Sequence, residues 1–258
     1  MLPFDSHAHV DDPDGDADAL ARELLRLRAA GWPGGVAAGY GPERTAIQRR
    51  VCRAVPGLAR AAGLHPWWLA DQPDAGAREA GWAALEHDLA EPDVCALGEI
   101  GVDRSRRHLA SAAEQRAGLH RGLALARDVG LPVVLHVVGW HGHALDEIRA
   151  VGVPHGGVVH RYSGPPDLVA EYERLGLCIS LALEPREDEA KRAAVARAVR
   201  PDRLLLETDW PFLALAYPAA LAALERLAAR VAHWREEPLD GLLDRTSATG
   251  KALFRMDD

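Results

Sequence analysis

Five short stretches of the chain carry residues that can hold a divalent cation. Asp5-Ser6-His7-Ala8-His9 offers two imidazoles at i and i+2, a spacing that in a strand turns both to one side. Gly98-Glu99-Ile100-Gly101 offers a carboxylate, Leu135-His136 and Val159-His160 one imidazole each, and Glu207-Thr208-Asp209 a second carboxylate. Two ions about 4 Å apart repel each other and need a shared anion, which assigns Glu99 as a bridge. His7, His9 and Asp209 would then complete one shell, and His136 and His160 the other. An ion with an open position acidifies a bound water toward about pH 7, and Asp209 would take the proton as general base. Glu99 and Asp209 are therefore the catalytic candidates. One or two divalent ions are expected, and imidazole-rich shells suit Zn, Mn, Fe or Ni while carboxylates leave room for Mg.

Each stretch alone has a plainer reading. The His7 and His9 pair could be a surface feature, Glu99 or Asp209 a helix cap, and His136 and His160 hydrogen-bonded core histidines. Their common placement is what argues for a site. Eight apolar runs rich in Val, Ile and Leu read as strands, around Leu2 to Asp5, Gly34 to Gly39, Leu58 to Leu64, Val94 to Glu99, Pro132 to Val137, Gly156 to His160, Gly176 to Ala182 and Arg203 to Thr208. Helical stretches follow them: Ala17 to Ala30, Glu43 to Val55, Gly76 to Leu89, Ala112 to Val129, Ala144 to Val151, Asp167 to Leu175, Asp188 to Val199 and Pro218 to Arg235, with a last helix over Leu239 to Phe254. This alternation predicts an α/β fold, a (β/α)8 TIM barrel with a C-terminal helix, over an open doubly wound sheet. All five ligand stretches then lie at C-terminal strand ends, which a barrel gathers on one face.

Composition narrows the classes. The chain has 258 residues, a usual length for one barrel, so residues 1–258 are expected to form a single domain. It is 48% hydrophobic and 26% charged, which excludes a disordered or fibrous chain. No apolar run approaches the roughly 20 residues of a membrane span and the start lacks signal-peptide character, so a cytoplasmic location is expected. Cys52, Cys95 and Cys178 form no C-x-x-C pair and read as core filler. The net charge of -8 argues against an extended basic surface wrapping duplex DNA.

At these same residues the chain resembles the TatD-type metal-dependent deoxyribonucleases, a branch of the amidohydrolase-like barrels. The likeness spans nearly the whole chain. It runs through Asp5 to His9, Gly63-Leu64-His65-Pro66, Gly98 to Asp103, Leu131-Pro132-Val133 leading to His136, His160-Arg161-Tyr162-Ser163-Gly164, and Leu206 to Pro211. The resemblance implies a one- or two-metal barrel hydrolase, commonly acting on DNA phosphodiesters, with His65 facing the bound phosphate. Three departures bear on substrate. Val138 stands where the family usually has an arginine, Arg104-Ser105-Arg106-Arg107 lacks the family's aromatic residues, and the stretch from Phe212 to Pro218 is shorter than the family's loop. Arg161, His141, His143 and the Arg104 to Arg107 group are candidates for replacement contacts, all expected in loops on the catalytic face. Trp67, Trp68, Trp140 and Trp210 follow strand ends closely and are expected either to stack on bases or to pack helices on the barrel.

The leading expectation is hydrolysis of phosphodiesters at DNA or oligonucleotide ends, with short or single-stranded ends as partner, no membrane and no inferable protein partner. An amide, ester or lactone hydrolase on the same metals would need fewer phosphate contacts, which suits Val138. A catalytically silent ligand-binding barrel is the third reading.

Overall fold

A computed structural model describes residues 2–184 and 188–256. Eight parallel strands pair in sequence order: β1 (Asp5–Ala8), β2 (Gly35–Ala37), β3 (Leu58–Ala62), β4 (Val94–Asp103), β5 (Val133–Val138), β6 (Gly157–His160), β7 (Leu177–Ala182) and β8 (Leu204–Glu207). The last strand returns beside the first. Asp209 N–H donates to His7 O at 3.0 Å and His9 N–H to Trp210 O at 2.7 Å, so the backbone of three predicted site residues makes the closing seam. Among the described residues the helices are α1 (Ala17–Ala29), α2 (Thr45–Ala54), α3 (Pro66–Asp71), α4 (Ala75–Leu89), α5 (Ala112–Val129), α6 (His141–Val151), α7 (Val169–Arg174), α8 (Glu189–Ala198), α9 (Tyr217–Arg235) and α10 (Leu239–Leu253). The predicted (β/α)8 barrel with its C-terminal helix is the observed architecture.

Local sequence explains the helix ends. Asp16 accepts from the N–H groups of Asp18 and Ala19 at the start of α1, and Ser111 with Glu114 forms a reciprocal capping box on α5. Gly130 ends α5 at φ 77°, where a side chain would be strained. The short α3 was not anticipated. Six residues are too few for a visible period, and its start rests on a local device, the N–H of Trp67 donating to His65 Nδ1.

Strand alternation builds the interior in layers. Val134, Val158, Cys178 and Leu205 belong to one buried apolar cluster with Phe4, Val36, Ala61, Ala96 and Phe254, the last contributed from just beyond α10. Two residues further along the same strands stand His136, His160, Ser180 and Glu207, all buried. A period of two sends i and i+2 to one side, so a polar layer lies directly on an apolar floor.

β4 breaks that rule at the position that matters. The sequence places Glu99 at the end of a strand; it sits instead in the middle of a ten-residue strand. Gly98 pairs with Val134 and Ile100 with Leu135, leaving Glu99 as the extra residue of a bulge. Such an insertion re-aims one side chain, and here it turns inward a residue that simple alternation would send out. Ile100 resumes the outward direction, its Cδ1 lying 2.8 Å from where a Cβ on Gly122 of α5 would stand. Gly63 makes the bulge possible, because a Cβ there would fall 2.5 Å from Glu99 O and 2.6 Å from Glu99 N. β1 is likewise displaced from its predicted place. It begins at Asp5, so the ligand motif is the strand itself, with its register shifted between Asp5 and Ala8.

Candidate metal centre

Glu99 lies at the middle of the polar layer, and its two oxygens face different imidazoles. Oε2 is 3.0 Å from His9 Nε2 and 3.4 Å from His7 Nε2. Oε1 is 2.8 Å from His160 Nε2, 3.3 Å from His136 Nδ1 and 3.6 Å from His65 Nε2. Asp209 Oδ1 stands 3.8 Å from His7 Nε2 and 3.9 Å from His9 Nε2. The six residues predicted as ligands, and His65, are thus gathered at one place.

None of these approaches satisfies Glu99. Both of its oxygens, and both ring nitrogens of His7, are buried without a hydrogen-bond partner. Leaving such groups unpaired costs about 1 to 3 kcal/mol each and more when charged, so their arrangement calls for a cation. The tautomers say the same. His136 Nε2 faces Asp103 Oδ2 at 3.0 Å and His160 Nδ1 faces Glu207 Oε1 at 3.3 Å. Each carboxylate draws the ring proton to its side, leaving lone pairs on His136 Nδ1 and His160 Nε2 only 3.0 Å apart. Two lone pairs aimed at each other and at a carboxylate need positive charge between them, and carboxylate-backed histidines are the usual support of a metal ligand.

Electrostatics agree. Burial alone would lower His9, yet the Glu99 carboxylate raises it to about 9. His160 is pushed well above its ordinary value against its own burial by Glu99 and Glu207. Glu99 itself, despite burial, is held well below the usual carboxylate range by the surrounding imidazoles, His160 foremost. The Glu99 carboxylate stays anionic and draws positive charge to the centre of the pocket, which a bound cation would supply in place of ring protons.

His65 differs from the other four imidazoles. Its Nδ1 accepts the Trp67 N–H at 3.0 Å, so in the neutral ring the proton sits on Nε2. Burial drives its pKa well below the ordinary value, which keeps it neutral. In this tautomer Nε2–H faces His136 Nδ1 at 3.3 Å and Glu99 Oε1 at 3.6 Å, so His65 presents a donor to the cluster where the other rings present acceptors.

A cavity of about 540 Å³ opens over the cluster, lined among others by Tyr40, Arg44, Trp67, Val138 and Phe212. Arg161 stands on its wall, at the end of β6. Its Nη2 is 2.6 Å from Glu184 Oε2 and its Nε 3.4 Å from Asp209 Oδ2, so its charge is already directed at two carboxylates. Asp209 and Arg161 both adopt left-handed backbone, at φ 50° and 44°, a conformation costing about 1 to 3 kcal/mol that site residues often hold.

Several anticipated contacts lie elsewhere. His141 and His143 were expected in a loop and instead open α6; His141 is buried, its Nδ1 2.9 Å from Tyr172 Oη. Arg107 turns back to the carbonyl of Arg104 in a 3-10 turn, and Arg106 stacks on Trp67, which lines the cavity. Of the four tryptophans only Trp67 lines this cavity. Trp68 donates to Glu43 and Trp210 to the carbonyl of Leu215. The backing carboxylates Asp103 and Glu207 had no assigned role in the sequence, although both sit inside quoted motifs. Asp5 had none either; it accepts from Thr208 N–H and Oγ1 and from Tyr217 Oη, tying β8 to β1. The one signal for all three was a carboxylate two to four residues from a ligand.

The model of the TatD related DNase family matches residues 4–255. The chain belongs to that family. It is 32% identical over 254 residues to a 3'-5' ssDNA/RNA exonuclease TatD from Klebsiella pneumoniae, covering 91% of each chain. It is 25% identical to the metal-dependent hydrolase YabD of Bacillus subtilis, over 98% of this chain and 99% of that one. Among solved structures, YJJV, a TatD homologue from Escherichia coli K12, superposes with a TM-score of 0.83 at 26% identity, covering 98% of both chains. As a TatD-family member the chain is a metal-dependent hydrolase, and its His, Glu and Asp clusters are those that could hold the metal. Among the described residues no helix is long and apolar enough to cross a membrane.

Proposed function

We propose that this TatD-family hydrolase cleaves phosphodiester bonds at the ends of single-stranded DNA or RNA, using divalent metal held by His7, His9, Glu99, His136, His160 and Asp209. The observation that carries the reading is the unpartnered Glu99 carboxylate, with one oxygen toward His7 and His9 and the other toward His136 and His160. When bound, the metal supplies Lewis-acid activation of water and offsets the charge that develops on phosphorus. The donor set is mixed imidazole and carboxylate, which fits Zn, Mn, Fe or Ni and admits Mg.

The chain's own residues do the rest. Asp209 is the proton acceptor for the attacking water, with Arg161 Nε holding its far oxygen. His65 donates from Nε2 to a nonbridging phosphate oxygen. Asp103 and Glu207 keep His136 and His160 in the tautomers that aim their lone pairs at Glu99. The similarity to an enzyme named as an ssDNA/RNA exonuclease favours nucleic-acid ends over amides or esters. A cytoplasmic setting suits the three free cysteines. The test is a 5'-labelled single strand and a panel of esters and amides, each with metal-loaded protein. Stepwise shortening of the strand, lost in Glu99→Gln and Asp209→Asn, is expected; turnover of carbonyl substrates alone would overturn the reading.

A further inference from the structure

Arg44 on the cavity wall, and Arg106 behind the wall residue Trp67, are held by aromatic rings rather than by carboxylates. The Arg44 guanidinium lies 4.0 Å over the Tyr40 ring and that of Arg106 lies 4.3 Å over Trp67. Their nearest carboxylate oxygens are 3.9 Å away on Glu43 and 4.0 Å away on Asp71, too far for a hydrogen bond. A guanidinium flat on a ring is immobilised and weakly hydrated while the N–H groups in its own plane stay available. Arg161 also lies over a ring, 3.5 Å from that of Phe212, but differs from them in being tied to Glu184 and Asp209. Across the cavity Phe212 lines the wall and is 49% exposed, with the Arg161 guanidinium on one face of its ring and the other face left for a ligand.

We propose that Arg44 and Arg106 take successive phosphates of a single strand leading into the site, while Phe212 stacks one of its bases. This rests on the phosphodiesterase reading above and deepens it, by naming the residues that grip the strand away from the scissile bond. Phosphate contacts carry no sequence information and stacking accepts any base, so the grip is sequence-tolerant. A duplex has its bases already stacked and paired, leaving nothing for Phe212, so the track selects single strands. It also reconciles the acidic chain with a nucleic-acid substrate, since two placed arginines replace an extended basic surface.

The test is equilibrium binding of a fluorescein-labelled twelve-residue oligothymidylate with cleavage-resistant phosphorothioate linkages to the metal-loaded protein, across a salt series. Each lost phosphate contact lowers the slope of log Kd against log salt by about 0.7 for a single strand. Arg44→Ala and Arg106→Ala should each show that drop, the double variant about twice as much, and Arg44→Lys should largely restore it. Phe212→Ala should weaken binding by about tenfold with the slope unchanged, the signature of lost stacking. Coincident slopes in all arginine variants, absence of binding by the parent protein, or equal affinity for a twelve-pair duplex would overturn the track. Hydrolysis of a small phosphodiester such as bis(4-nitrophenyl) phosphate by the metal-loaded protein is measured in parallel. If that fails while the slopes change as expected, the function reading falls and the track stands.

Discussion

Asp103→Asn isolates what a backing carboxylate contributes to the centre. Asp103 Oδ2 accepts from Trp67 Nε1 at 2.6 Å and from His136 Nε2 at 3.0 Å, while Oδ1 accepts from Ser105 N–H at 2.7 Å. Burial would raise its pKa, yet His136 and these donors hold it well below the usual range, so the group is ionised at neutral pH. Asparagine is isosteric but has one acceptor. With its oxygen toward His136 and Trp67, its NH2 confronts the Ser105 N–H, at about 1 to 3 kcal/mol of stability. The ring keeps its tautomer but loses the negative charge that makes it basic. Changes of this kind weaken metal binding 10- to 100-fold, about 1.4 to 2.8 kcal/mol. The assay is competitive metal titration against a chelating dye, followed by turnover as metal is raised. Weaker binding with most of kcat recovered at saturating metal is expected. Metal affinity equal to the parent's would refute the argument that Asp103 tunes His136 as a ligand.

Other outcomes follow from the same geometry. Gly63→Ala should cost about 1 to 3 kcal/mol by overpacking and also lower metal content, since its Cβ would press on the backbone of Glu99; urea unfolding and metal analysis read both. Arg60 is 1% exposed and pairs with Asp88 and Asp93 at 2.6 Å each, so Arg60→Ala should lose about 3 to 5 kcal/mol in urea unfolding with the metal centre intact. His141 is lowered to about 4, chiefly by burial and then by Lys191. Because the unfolded chain binds that proton first, its contribution is complete above about pH 6.5 and falls away toward pH 4, by about 3 kcal/mol. Denaturant titrations of the parent and His141→Phe across that window should differ in pH slope, and parallel curves would contradict the assignment.

The order of strands and helices was legible because each βα unit announces itself locally, through a short apolar run and then a capped amphipathic stretch. The clustering of the candidate ligands was legible for a related reason: His136 and His160 close apolar runs, and a barrel brings such ends together. Glu99 was found by type and misplaced in its strand, since a bulge depends on how Gly98 and Ile100 pair with β5, which one strand cannot reveal. Asp103 and Glu207 were missed because their partners come from other strands: His136 on the adjacent β5, and His160 on β6, two strands away from β8. The side chain of Arg161 was read as a substrate contact, whereas Glu184 on the far side of β7 and Asp209 beyond β8 claim its guanidinium. His141 looked like a loop residue because nothing before it caps a helix; its partner Tyr172 comes from α7.

Anomalous scattering from crystals grown with Mn²⁺ addresses the metal centre without reference to any substrate. A peak within about 2.0 to 2.3 Å of a Glu99 oxygen and of His136 Nδ1 or His160 Nε2, or of His7 and His9, is the predicted result. Manganese found only at surface carboxylates, with Glu99 hydrogen-bonded to protonated histidines instead, would contradict it.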